Sequence, residues 1–446
     1  MATDTKTRTA QEVLEEWQSE GVEFVRFELP DMHGVSRSKL VPIGHASGYA
    51  EEGLNMYGGT AVLDTRSDVV GGTLYNEEIG YGDQRLIPDP ETALVLPWAP
   101  GQARFICDSF GDDGQPLAAL PRHVFRRVLD RCRGLGYEPL TGTEPEFYLL
   151  DAETRNPLFT GYHIFNTVRN TYVPFIPELV RQLDAAGLGI ITANAEYAGS
   201  QWEINFTPAQ GLAGPDKAFT FKNAVKELAH ASGYLATFMS KPFSDGAGSG
   251  SHTHVSFLDS ETGENLFADE SDPDGISSLC RQFIAGNLRH ARAMYALLAP
   301  TVNCLKRRRT HTFSPTNVSW GTEDRSAFVR IKGGSVKSRH VENRAPTALS
   351  NPYLVCAVVI GAGLLGIEDE LELEPAAQSP AEEDASKPPL PTTVHESLQA
   401  LEEDERLAAL LGPDFVSVYT AMRRYELQRF DDHVTDWERE EYVEIH

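Results

Sequence analysis

Apolar positions first fall at helical spacing between residues 10 and 20, where Val13, Leu14 and Trp17 share a face and Gly21 ends the run. Val22, Phe24, Val25, Phe27 and Leu29 then read as a strand that stops at the turn-like Pro30-Asp31-Met32-His33-Gly34. Short strands of this kind continue to about Pro100, which predicts a small N-terminal unit over residues 1–102. After Pro121 the pattern changes: Val124, Phe125 and Val128 predict a helix to Gly134, and a strand follows over Glu146–Leu150. Further helices are predicted near 177–187, 214–232, 276–298 and 350–366, with strands near 201–206, 236–243 and 252–258. The larger unit, 103–446, is therefore mixed, and the fold class is α+β. Residues 368–392 combine acid, Pro, Ala and Ser with few large apolar groups and read as a mobile surface loop, before a closing pair of helices over 394–428.

A chain of 446 residues exceeds the size at which single cores stop growing, in agreement with two units. Its most apolar stretch, Tyr353–Ile367, is too short to cross a bilayer and contains Gly361 and Gly363, so it predicts a buried helix and no membrane partner. Acidic residues outnumber basic ones 65 to 39, and the net charge of -26 repels nucleic acid and anionic membranes. Only ten of the basic residues are lysine, a balance that suits a salt-adapted protein as well as a GC-rich mesophile with an acidic C-terminal segment. Cys107, Cys132, Cys280, Cys304 and Cys356 show no CxxC spacing and follow no secretory leader, so they read as reduced thiols of a cytoplasmic protein.

The candidate chemistry lies on strand-like stretches that carry polar pairs two residues apart, a spacing that puts both side chains on one face. Glu144 and Glu146 form such a pair in GTEPEFYLL, His252 and His254 in GSGSHTHVSF, and Glu342 and Arg344 in RHVENRAP; AEYAGSQWEINF adds Glu196 and Glu203. One such pair is ordinarily a solvated strand face, but several carboxylates with one or two imidazoles suit Mg2+ or Mn2+, and the lack of paired cysteines argues against structural zinc. Arg307 in NCLKRRR, with Arg325 and Arg330 in EDRSAFVRI, supplies guanidinium groups suited to a carboxylate and to phosphoryl oxygens. Gly246, Gly248 and Gly250 allow close backbone approach to a ligand, although no P-loop pattern is present.

In this order, GTEPEFYL, EYAGSQWEI, TFMSKPF, GSGSHTH, NCLKR, DRSAFVRI and RHVENRAP with SNPYL resemble the glutamine synthetase family, and PDPETALVLPW and DERLAALLG extend the likeness over almost the whole chain. The resemblance implies a β-grasp N-terminal domain, a catalytic domain with an antiparallel sheet lining the active site, and a homo-oligomer, a dodecamer of two hexameric rings with sites between neighbours. It implies ATP and two or more Mg2+ or Mn2+ ions as cofactors, and glutamate with an amine or ammonia as substrates. Glu146, Glu196 and Glu203 match ligands of the metal nearer the acceptor, and Glu144, His252 and Glu342 ligands of the nucleotide-side metal. His254 and Ser256 match nucleotide contacts, Gly248 and Arg307 glutamate contacts, and Arg325, Arg330 and Arg344 the arginines that attend the phosphates and the reacting carboxylate.

Four positions depart from the family pattern. Gly58 stands where an ammonium-binding aspartate is usual, and Phe313 where a flap acid shields the intermediate; Ala247 replaces an asparagine of the glycine loop and His340 a nucleotide arginine. A site that loses two acids attracts ammonium less, so three readings stand side by side. They are a γ-glutamyl ligase for an organic amine, a glutamine synthetase with a substituted ammonium site, and a catalytically weak paralogue with a regulatory or structural role.

Overall fold

The computed structural model describes residues 8–162, 164–335 and 338–446. The chain opens with α1 (Ala10–Ser19), where Thr9 and Glu12 cap each other's backbone and Val13, Leu14 and Trp17 are buried as their spacing predicts. It continues through β1 (Phe24–Pro30), β2 (Ser36–Pro42), α2 (Ile43–Glu52), β3 (Leu54–Tyr57), β4 (Asp83–Pro88), β5 (Leu94–Val95) and β6 (Gln102–Phe110). These strands form one six-stranded sheet in the order β2-β1-β6-β4-β3, with β5 also on β6; β1 and β6 run parallel and the other pairs antiparallel. β6 runs past residue 102 and pairs with β1, β4 and β5, so the N-terminal sheet continues to Phe110.

The second unit begins with α3 (Pro121–Gly134), β7 (Tyr137–Asp151), α4 (Thr167–Asn170), α5 (Phe175–Ala185), β8 (Ile190–Ala195), β9 (Gln201–Phe206), β10 (Ala209–Gln210), α6 (Ala213–Ala231), β11 (Tyr234–Thr237) and β12 (Ser251–Asp259). After α7 (Ser278–Arg289), α8 (Ala291–Leu298) and α9 (Val302–Arg307) come β13 (Trp320–Thr322), β14 (Val329–Ile331), β15 (Val341–Asn343) and α10 (Pro352–Glu368). The chain closes with α11 (Val394–Glu403), α12 (Glu405–Leu411), α13 (Pro413–Asp431) and α14 (Asp436–Tyr442). Its nine-stranded sheet runs β13-β14-β15-β12-β7-β9-β8, with β10 and β11 on β7, and only β13 and β14 pair in parallel. The apolar stretch is the buried helix its length predicted: α10 hides nearly every side chain, and among the described residues no helix is long and apolar enough to cross a membrane.

One hydrophobic core runs from Val13 in α1 to Leu427 in α13, so the two units share an interior. A buried ionic junction ties them further, since Arg122 binds Asp89 at 2.7 Å, Asp108 at 2.8 Å and Asp216 at 3.0 Å. Such a hub fixes register between the sheets more than it adds stability, because desolvation of the charges offsets much of their attraction.

Three expectations need correction. The helix predicted over 276–298 breaks at His290, whose Nδ1 lies 2.6 Å from Asp404, the N-cap of α12. The strand predicted over 236–243 is β11 and ends at Thr237; farther on, the Asn303 side chain takes Lys241's backbone N–H and C=O, each at 2.9 Å. The acidic segment 368–392 has little regular structure, yet it is strapped to the body rather than loose. Trp320 Nε1 donates to Glu374 O at 2.8 Å, Asn317 Nδ2 to Ala381 O at 2.7 Å, and Val318 N to Pro388 O at 2.8 Å.

Candidate active site

The pairing of β7 with its neighbours converts the i, i+2 patterns into a row of functional groups across the sheet. Glu146 stands opposite Glu203 of β9, Glu144 opposite His252 of β12, and Glu342 of β15 opposite both His254 and Arg330. Two cavities lie along this row. One, of about 950 Å³, is lined by Glu144, Glu146, Glu196, Glu203, His252, Gly248, Arg307, Phe313, Arg325, Arg330 and Arg344. The other, of about 820 Å³, holds His254, Ser256 and His340, and Glu144, Asn205 and Lys332 border both.

Glu144, His252 and Glu342 bring ligand atoms within 4.8 Å of one another. Burial, and then the charge of Arg344, push the His252 imidazole down to about 4, so at neutral pH it keeps a lone pair for a metal. Glu342 is fully buried, yet Arg344, and then the His252 and His254 imidazoles, outweigh its desolvation and hold its carboxyl at about 2, while Arg330 also donates to it at 3.0 Å. Burial also opposes ionisation of Glu144, and the His252 and His254 imidazoles overcome it. Two ionised carboxylates and a neutral imidazole form a donor set that fits Mg2+ or Mn2+.

Glu146, Glu196 and Glu203 line the same cavity but do not form an equally tight group among the described residues. Gln201 Nε2 donates to Glu146 at 2.8 Å, Asn205 Nδ2 to Glu203 at 3.0 Å, and Asn194 Nδ2 to Glu196 at 3.2 Å. Burial raises all three above the ordinary carboxylate range, and Glu196 adds repulsion at Glu146 as Glu146 does at Glu203. Burial and mutual repulsion thus oppose their ionisation together, and a bound cation would supply the compensating charge that lets them ionise.

The opposite wall is cationic. Arg307 is buried, with Nη2 3.4 Å from His252 Nε2, and Arg344 Nε donates to Arg325 O at 2.7 Å. Gly248 explains how Arg307 fits, since a Cβ there would stand 2.5 Å from Arg307 Cγ. Gln201 links the glycine segment to the carboxylates by donating also to Gly248 O at 3.1 Å. In the second cavity His254 Nε2 lies 3.1 Å from Glu144 Oε1 while Nδ1 has no partner among the described residues, and its ring meets His340 edge-on with centroids 5.1 Å apart.

Of the residues picked out in the sequence, Glu342 and Gly250 line neither cavity but sit beside His252, whereas Gly58 lies away from the site, buried in the N-terminal unit against Ile79 and Gly82. Sequence reasoning gave no role to Gln201, although it sits inside the EYAGSQWEI motif, nor to Lys241, Lys332 and the aromatics Tyr162, Phe165 and Tyr197. The aromatics occupy loops, where no periodicity singles them out.

The sequence profile of the glutamine synthetase catalytic domain matches residues 118–442, a span that contains every carboxylate, imidazole and arginine just described. The chain belongs to the glutamine synthetase family. It is 33% identical over 448 residues to the glutamine synthetase of Halobacterium salinarum, covering 97% of this chain and 96% of the relative. It is equally 33% identical over 435 residues to the gamma-glutamylethanolamide synthetase GlnA4 of Streptomyces coelicolor, with 94% and 92% covered. A solved GmaS/ADP complex superposes with a TM-score of 0.86 at 28% identity, over 97% of this chain and all of that one. As a glutamine synthetase-type enzyme the chain is an ATP-dependent glutamate ligase of a family that uses divalent cations, and the Glu144-His252-Glu342 group supplies a place for one.

Proposed function

We propose that the chain is a γ-glutamyl-amine ligase whose acceptor is an organic amine rather than ammonia. The observation that carries this reading is Phe313, which lines the catalytic cavity with its ring 6.2 Å from that of Tyr197, at a position where the family pattern places an acid. An apolar face there neither concentrates ammonium nor accepts its proton. The resemblance to a γ-glutamylethanolamide synthetase supports the same assignment.

In this reaction the γ-carboxylate of glutamate takes the terminal phosphoryl group of ATP and ADP is released. The amine nitrogen then bonds to the acyl carbon, the acyl C–O bond breaks, and the departing phosphate takes the electron pair and the proton lost by nitrogen. Divalent ions held by Glu144, His252 and Glu342, and by Glu146, Glu196 and Glu203, would neutralise phosphate charge. Arg307 orients the glutamate beside Gly248. Arg330 and Arg344, pinned on Glu342, keep a fixed positive wall, and the exposed Arg325 is free to follow the transferring group. His254 and Ser256 face the nucleotide. Gly58 can reach an acceptor site only across a contact between copies, in keeping with the double-ring dodecamer implied by the family resemblance.

Phosphate release from ATP and glutamate with Mg2+, measured over a panel of amines and ammonia, tests the proposal. At least one organic amine is expected to exceed ammonia in kcat/KM by tenfold or more, roughly the discrimination of one good contact. Ammonia performing as well as every amine returns the chain to glutamine synthetase, and no turnover with any acceptor returns it to a regulatory paralogue.

A further inference from the structure

The rim of the catalytic cavity is more apolar than the chemistry at its floor requires. Tyr162, Phe165, Tyr197 and Phe313 reach it from three separate segments and remain 59%, 64%, 41% and 44% exposed. Large aromatics left in water over a cavity mark a surface that another apolar group is to cover. Phe165 and Phe313 both sit at φ 55°, in the left-handed region that disfavours side chains, and bulky residues held there cluster at ligand sites. The backbone is held in place around them: Phe165 N donates to Ala195 O at 3.1 Å, and the Tyr162 hydroxyl donates to Asp245 O.

The charges around this rim restrict what the apolar group can carry. Lys241, Arg309 and His311 line the same cavity, and beyond the metal-side glutamates Asp245 is the one acid among its described lining residues. A second ammonium on the acceptor would meet Lys241 and Arg309, with Asp245 the single rim carboxylate to offset them. An acceptor with a single nitrogen and a flat or branched hydrocarbon body would set that body against aromatic faces instead.

Resting on the organic-amine reading above, we infer that the acceptor is a primary monoamine with an aromatic or branched aliphatic body, stacked on Phe165, Tyr197 and Phe313. Polyamines and small hydroxylated amines are excluded from efficient use. The amine nitrogen points inward to the acyl carbon and the hydrocarbon stays at the rim.

The test compares kcat/KM for benzylamine and isobutylamine with putrescine, ethanolamine and ammonia, using the full chain with Mg2+, ATP and glutamate. Benzylamine or isobutylamine should lead the panel. Phe165→Ala should raise the KM for that amine about tenfold, the worth of one lost aromatic contact, while the KM values for ATP and glutamate stay put and Phe165→Tyr restores the native value. Ammonia in first place overturns the organic-amine reading itself. Putrescine or ethanolamine ahead of both hydrocarbon amines leaves that reading standing and overturns this one. A Phe165→Ala protein whose assembly or melting temperature changes while its amine KM does not would assign the rim to a contact between copies and likewise overturn the inference.

Discussion

Gly248→Ala separates a glycine needed for packing from one that merely tolerates a ligand. The backbone at Gly248 is not left-handed, so alanine is allowed there and the effect is purely steric. The added Cβ would stand 2.5 Å from Arg307 Cγ, 3.0 Å from Arg307 Cβ and 3.1 Å from Ser240 O, which blocks retreat on the other side. Carbon atoms pack at about 3.5–4.0 Å, so Arg307 must withdraw by roughly 1 Å. A misplacement of that size in a positioning group costs about 100-fold, or about 2.7 kcal/mol of transition-state stabilisation. Overpacking of this kind also costs about 1–3 kcal/mol of stability. We expect kcat/KM for glutamate to fall about 100-fold, with a lowered Tm by calorimetry. Because the tightest clash is with Arg307 Cγ, the Tm loss should shrink in an Arg307→Ala background, leaving the part due to Cβ and Ser240 O. Native-like turnover in Gly248→Ala, or an undiminished Tm loss in the double variant, would refute the reasoning.

Other outcomes follow from the same geometry. Glu144→Ala should abolish phosphate release and the rise in Tm on adding Mn2+, and survival of that rise would remove Glu144 from the ligand set. Glu342→Ala should do this and also cost about 3–5 kcal/mol in urea unfolding, because Arg330 and Arg344 lose their buried counter-charge; equal stability of the two variants would refute the pairing. Glu426 is opposed by burial but held at about 2 by Arg423 at 2.8 Å and His33 at 2.5 Å. Since its folded value is depressed, its contribution of about 3 kcal/mol is present above about pH 4.5 and is lost as pH falls towards 2. Glu426→Gln should flatten that part of the pH–stability curve, and an unchanged slope would count against the pairing. With a net charge of -26, Tm should rise from dilute buffer to molar KCl, and a flat or falling Tm would exclude salt adaptation.

What could be read from the chain follows from how far apart cooperating residues lie in it. Glu144 with Glu146, and His252 with His254, were legible because two residues along a strand repeat the same face, and antiparallel pairing of β7 with β12 then had to set Glu144 against His252. The buried α10 and the apolar face of α1 were legible from similarly local patterns, though the cap on α1 was not read. The break at His290 was not, since the contact its ring makes there is with Asp404, 114 residues away, and leaves no local signal. Nor was the fastening of the acidic segment, whose composition signals a loop but whose backbone is taken up by Asn317, Val318 and Trp320.

Substituted positions show the limit most clearly. Gly58 and Phe313 look equivalent in sequence, as two lost acids, yet only Phe313 borders the catalytic cavity of its own chain. A Cβ at Gly58 would stand 2.9 Å from Ile79 Cδ1 and 3.0 Å from Gly82 O, so the missing acid there is bound up with local packing. Restoring an aspartate at Gly58 therefore risks disturbing the N-terminal sheet before it informs on ammonia, whereas Phe313 is exposed and can be changed without opening a core. The same contrast explains why the aromatic rim was invisible in the sequence: an acid that disappears from a motif leaves a trace, but the three loops that converge around the replacement leave none until the sheet brings them together.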